Sequence, residues 1–203
     1  MSPVSTATPE EPRRARLLEA ALGVFLRYGY KKTSMDEVAR AADLSRQGLY
    51  LHFATKEELF RATVEMALRR ALDDAAAPLR DAELAIEQKL VRGFDEWHGR
   101  YVGMLQGHDV AELIELRDTL LGPMFTEYEK QFGEAVTRAI RGSGLPAAYK
   151  AAGLTARQLA DTLYATALGL KHSSASRVAF VESFTIAVRA LCMPLRAGAT
   201  ATP

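Results

Sequence analysis

The chain has 203 residues, 48% of them apolar and 25% charged, with a formal net charge of +1. This length and composition fit one medium or two small globular domains and exclude disorder of the whole chain. One cysteine excludes an internal disulfide and a four-cysteine zinc site and reads as a reducing, cytoplasmic setting, while no run of eighteen apolar residues reads as a membrane span and the first residues lack signal-peptide features.

Residues 1–12, rich in Pro, Ser and Thr, read as a flexible tail. From there the apolar spacing is helical throughout. Leu18, Leu22 and Phe25 recur at i, i+4 and i+7. Ser34-Met-Asp-Glu37 and Thr55-Lys-Glu-Glu58 have the form of capping boxes, and Ser45 can cap a helix between them. These signals predict a helix of about nine residues from 34, a tight turn, a short helix ending near His52 and a longer helix from 56. Further stripes run through Ile86, Leu90, Phe94, Trp97, Tyr101 and Leu105, then through Phe125, Tyr128, Phe132, Val136 and Ile140. The last two cover about 155–174 and 177–195. No period-2 alternation bounded by hairpin signals is present, so the fold class is all-α, with roughly nine helices.

Charge is uneven along this frame. Residues 13–56 hold nine Lys/Arg and four Asp/Glu, a net of +5, and the segments on either side are each −2. A basic head on a near-neutral body is a polyanion-binding pattern. Two short helices joined by a tight turn form either a helix-turn-helix, whose second member enters a major groove, or an ordinary helical hairpin. The second helix favours the former. Leu49 and Phe53, one turn apart, anchor it, leaving Arg46, Gln47, Tyr50 and His52 to face outward. Arg pairs with guanine, Gln with adenine, and Tyr hydroxyls reach phosphates. Gly48 weakens the helix by about 1 kcal/mol relative to alanine and permits close approach to a duplex.

The run from Thr33 to Leu59, with Ala39-x-x-Ala42, Ser45-x-x-x-Leu49-Tyr50-x-His52-Phe53 and Lys56-Glu57-x-Leu59, resembles the N-terminal signature of TetR-family transcriptional regulators. The resemblance is strong from Arg14 to Leu59, about a quarter of the chain. It implies a three-helix DNA-binding head (13–59) and a helical ligand-binding and dimerisation body (60–198). It places Thr33, Ser34, Tyr50, His52 and Lys56 at phosphates and Arg46, Gln47 and Gly48 against base edges, with Ser45 in the same DNA-binding set. Arg13, Arg14 and Arg16 read either as a basic clamp or as a solvated helix end, and His52 either as a phosphate contact or as packing. One departure is Asp43, where the family commonly has glycine at the turn; Asp tolerates the left-handed backbone better than most residues.

A small head reads half a site, so two copies spaced about 34 Å apart are needed to reach successive major grooves. For the dimer, Thr162, Thr166, Gly169 and Ser173 offer small side chains, and Phe180, Phe184, Val188 and Leu191 offer bulk; the same stripes also suit an internal core. Trp97, Tyr101, Met104, Phe125, Tyr128 and Tyr164, with His98, Arg117 and His172 (or His108), can line an apolar effector pocket or simply be core. His108, Glu112 and Glu115, or Asp95 and His98, have metal-compatible spacing, but a solvated charged face is the simpler reading. No metal and no cofactor is expected. Cys192 reads as a small buried apolar residue.

The expectation is a homodimeric, ligand-responsive DNA-binding regulator, a repressor released from a palindromic operator by a small, largely apolar effector. Its partners are double-stranded DNA, a second copy and the effector, with no membrane. Its place is the cytoplasm, nucleoid-associated when bound to DNA. The alternatives are a helical protein-interaction adaptor and an all-α enzyme. Against the enzyme, the chain lacks a nucleophile elbow, a phosphate-binding glycine loop and an HExxH motif.

Overall fold

The computed structural model describes residues 10–103 and 115–199, which contain nine α-helices and no strand. They are α1 (Glu10–Tyr28), α2 (Met35–Ala41), α3 (Arg46–His52), α4 (Lys56–Arg80), α5 (Ile86–Trp97), α6 (Gly122–Arg141), α7 (Leu145–Ala148), α8 (Ala156–Ser173) and α9 (Arg177–Ala199). Short 3-10 turns follow α5 and α7, and a π-helical segment over Arg117–Leu121 leads into α6. α1 starts three residues inside the stretch expected to be a tail. Met104, His108 and Glu112 lie outside the described residues, as does the Arg117 side chain.

Of the described residues, 10–68 and 115–122 form one compact unit, and 69–103 and 123–199 a second. The first is built by local chemistry. Ser34 accepts from the Glu37 amide at 3.2 Å, and its own amide donates to the Glu37 carboxylate at 2.7 Å, closing the expected capping box at the start of α2. At the other end the Leu44 amide donates to the Ala39 carbonyl (2.9 Å) and the Asp43 amide to the Arg40 carbonyl (3.3 Å). This is a Schellman stop, and it requires a left-handed residue between helix and turn. Asp43 takes that role with φ of 53°, the one non-glycine residue with positive φ among those described. Ser45 then accepts from the Gly48 amide at 3.0 Å and starts α3. The box expected at Thr55 is half made. Thr55 accepts from the Glu58 amide, but the Glu58 carboxylate turns to the Ala54 amide instead. Leu17, Leu18, Ala21 and Phe25 of α1, Val38 and Ala39 of α2, Leu49 and Phe53, and Leu59 and Phe60 of α4 are buried as the core of this unit.

The second unit packs an aromatic interior. Phe94 of α5 meets Phe132 of α6 edge-on at 5.0 Å and Phe184 of α9 at 4.7 Å; Trp97 stacks on Phe132 at 4.9 Å. Leu90, Val136, Ile140, Leu159, Leu163, Ala167 and Val188 fill the remainder. α5 comes close to α4 because residue 93 is glycine: a Cβ there would sit 2.9 Å from Leu79 Cγ and 3.3 Å from the Ala75 carbonyl oxygen. Around the outside, Arg177 grips Asp95 with two hydrogen bonds of 2.8 and 2.9 Å, and Arg100 pairs with Asp74 at 2.9 Å and with Glu96. α9 has a mean hydropathy of 1.6 over Arg177–Leu195, long and apolar enough by composition to cross a membrane. In this unit 22% of that stretch is buried, with Phe180, Phe184, Val188 and Cys192 packed into the interior.

Candidate nucleic-acid interface

α3 is seven residues long and is anchored by one face. Leu49 is fully buried and Phe53, at the helix end, nearly so. Arg46, Gln47, Tyr50, Leu51 and His52 are exposed, as is the capping Ser45, while Gly48 is half-buried. The outward face expected from the sequence is thus present, with one addition. Leu51 is 83% exposed, more than any other large apolar side chain among the described residues. Two refinements follow. The Arg46 guanidinium is drawn sideways, 3.2 Å from the Asp36 carboxylate and 5.7 Å from the centre of the Tyr50 ring. Both ion-pair partners are largely exposed, so this tether is worth at most about 1 kcal/mol and yields readily to a phosphate or a base. Gly48 also has a local reason: a Cβ would lie 3.1 Å from the Ser45 hydroxyl oxygen that caps the helix.

Two residues expected at phosphates are otherwise engaged. Thr33 is buried, and its hydroxyl donates to the Gly29 carbonyl at 2.7 Å. Lys56 donates to the carbonyls of Tyr30 and Thr33, both at 3.0 Å, with its ammonium 4.4 Å from the centre of the Tyr30 ring. It staples the loop before α2 and holds Ser34 at the exposed start of that helix. The physical reason is geometric: loop carbonyls with no helical partner need donors, and the first side chain of α4 lies within reach. In α1, Arg13 is exposed, Arg14 packs its guanidinium 5.3 Å from the centre of the Phe53 ring, and Arg16 donates to the Pro12 carbonyl.

Residues 17–63 match the family model described as bacterial regulatory proteins, tetR family. This match identifies the segment from α1 into α4 as similar to the N-terminal domain of that family. Over 72 residues the chain is 42% identical to YfiR of Bacillus subtilis (strain 168), an uncharacterized HTH-type transcriptional regulator, covering 36% of this chain and 35% of YfiR. It is 29% identical over 132 residues to the HTH-type transcriptional regulator SrpR of Pseudomonas putida, covering 62% of each. The chain therefore spans less than two thirds of the length of either relative. A solved structure from Mesorhizobium loti shares the fold with a TM-score of 0.70 at 20% identity, covering 92% of this chain and 98% of that one.

Among the described residues of the second unit, a histidine is buried among aromatic rings. His98 is 4% exposed, and its Nε2 has no hydrogen-bond partner. Phe94, Trp97, Phe132 and Tyr164 surround its ring, with the Tyr164 ring centre 5.2 Å away. Burial, and then the charges of Lys171 and His172, push its pKa down to about 3, so the imidazole is neutral at physiological pH. Of the residues expected to line a pocket, Trp97, His98 and Tyr164 come together here, joined by Phe94 and Phe132. Tyr101, Phe125 and Tyr128 are half-buried and His172 is exposed. The Lys171 ammonium lies 5.9 Å from the Tyr101 ring centre. The Asp95 carboxylate, expected three residues before His98 on one face, is held by Arg177.

The expected dimer residues divide in two. Phe180, Phe184 and Val188 are fully buried within the single chain and have no surface left for a partner; Leu191 is half-buried. Their stripe packs inward because α9 has apolar residues on two sides. The opposite side exposes Val178, Ile186 and Met193, each about two thirds open to solvent. On α8, Thr162, Gly169 and Ser173 are exposed and Thr166 half-buried. Their hydroxyls donate to carbonyls one turn back, Thr162 to Gln158 and Thr166 to Thr162 at 2.8 Å and Ser173 to Gly169 at 3.1 Å, which leaves a small and largely apolar face.

Proposed function

We propose that this chain is a homodimeric transcriptional regulator of the TetR type that binds a palindromic operator and leaves it when a small, largely apolar effector enters the body. The observation that supports the reading is the outward face of α3, where Gln47, Tyr50 and His52 are exposed on a helix anchored through Leu49 and Phe53. Gln47 reads an adenine edge, Arg46 swings from Asp36 to a base or phosphate, and Tyr50, His52, Ser34 and Arg13 hold the backbone. Lys56 acts by fixing the loop that presents Ser34.

The half-apolar faces of α8 and α9, centred on Gly169 and Ile186, join two copies as a four-helix contact. His98 hydrogen-bonds the effector: a neutral nitrogen left unpaired among rings suits an aromatic or apolar molecule with one polar group. The effector's coupling to operator binding is of the usual allosteric size, about 1–3 kcal/mol. Repression is the simplest outcome, with the protein working in the cytoplasm and sitting on the nucleoid when bound.

Selection of duplexes from a random oligonucleotide pool tests this. A two-fold symmetric site whose binding weakens steeply with salt supports it. Failure of the folded protein to enrich any duplex at low salt overturns it.

A further inference from the structure

We propose that Leu51 is a specificity residue that reads the 5-methyl group of a thymine, within about two base pairs of the position read by Gln47; this rests on the regulator reading above. At about 100° per residue, Leu51 stands directly opposite the anchoring direction set by Leu49 and Phe53. Gln47 lies about 40° from it and one turn back, so these two side chains form the leading edge of the helix. Tyr50 and His52 occupy the flanks, and Arg46 is drawn to the side by Asp36 and Tyr50.

The isolation of Leu51 selects its partner. The other strongly exposed apolar side chains, Val178, Ile186 and Met193, are on α9. Around Leu51 the face carries an amide, a glycine, a phenol and an imidazole. A single leucine in polar surroundings offers too little apolar area for a protein interface, yet it matches one methyl. In the major groove the thymine methyl is the apolar feature; the other base edges present donors and acceptors that a leucine desolvates without pairing. The rise from Gln47 to Leu51 is about 6 Å, close to two base-pair steps. A Gln–adenine contact and a Leu–methyl contact therefore fit neighbouring A·T pairs.

The test uses the full-length protein and the symmetric duplex from the selection, with each thymine replaced in turn by deoxyuridine, which removes the methyl and preserves base pairing. Dissociation constants are read by fluorescence anisotropy for the natural sequence, Leu51→Ala and Gln47→Ala. One thymine per half-site is expected to show an effect of about fourfold, the worth of one buried methyl, and about 15-fold when both half-sites are changed. Leu51→Ala should bind the thymine and deoxyuridine duplexes alike, whereas Gln47→Ala should keep the difference. Circular dichroism checks that the variants fold. A selected duplex at which no thymine methyl matters, or an effect that persists in Leu51→Ala, overturns this assignment alone. Enrichment of no duplex overturns the regulator reading, and this assignment with it.

Discussion

α3 and α9 both leave large apolar side chains in water, but in opposite patterns. α3 exposes one leucine among groups that donate and accept hydrogen bonds. α9 exposes Val178, Ile186 and Met193 along roughly four turns, beside an α8 surface whose hydroxyls are already satisfied within their own helix. A polar face with one methyl-sized apolar point fits a partner rich in polar edges. A row of apolar side chains with Glu182 and Arg189 exposed between them fits a protein partner that covers carbon and pairs charge together. Exposure alone does not separate the two; what surrounds the exposed carbon does.

The sharpest way to break this comparison uses two residues of α9 that are neighbours in sequence and opposite in space. Phe184→Ala removes a ring packed between Phe94 and Phe180 and should destabilise the fold by about 3–5 kcal/mol, read by urea unfolding. Ile186→Glu should leave helical circular dichroism intact and convert a dimer to a monomer in sedimentation equilibrium. A dimer that survives Ile186→Glu removes this face of α9 from the interface.

His98 supplies the next test. With its folded pKa near 3 and an ordinary value of 6.5, the unfolded chain takes up a proton that the folded chain refuses. Its contribution to stability is complete above pH 6.5 and is lost as pH falls toward 3, by at most about 1.4 kcal/mol per pH unit. His98→Gln should flatten that part of the stability profile measured by urea unfolding. An unchanged slope would place the imidazole in water.

Smaller effects belong to the head. Ser34→Ala should destabilise it by about 1 kcal/mol in thermal unfolding. It should also raise the Glu37 pKa, which the Ser34 amide and hydroxyl hold below the usual carboxylate range, as followed by NMR titration. Asp43→Gly should stabilise the head by up to about 1 kcal/mol, because glycine enters the left-handed region without strain. A loss of stability on that change would mean that the Asp43 side chain holds the turn.

Much of the head was readable because its signals are local. Caps act over three residues, and the left-handed turn at Asp43 follows from one position. Thr33 and Lys56 escaped because their partners are backbone carbonyls: Gly29 for Thr33, and Tyr30 and Thr33 itself for Lys56, Tyr30 lying 26 residues away in sequence. No side-chain pattern announces a carbonyl in need of a donor. In the body, periodicity identified α9 as apolar but not which of its two stripes turns inward. That choice belongs to Phe94 on α5, which takes Phe184 as its neighbour. Leu51 shows the same limit: in a seven-residue helix, spacing names the anchors more readily than it ranks what remains.

The contact between α4 and α5 has an evolutionary corollary. With Leu79 Cγ 2.9 Å and the Ala75 carbonyl oxygen 3.3 Å from the place a methyl would occupy on residue 93, an alanine there must displace both. A smaller residue at 79 meets no such clash, so in a lineage that gains alanine at 93 a change at 79 should come first.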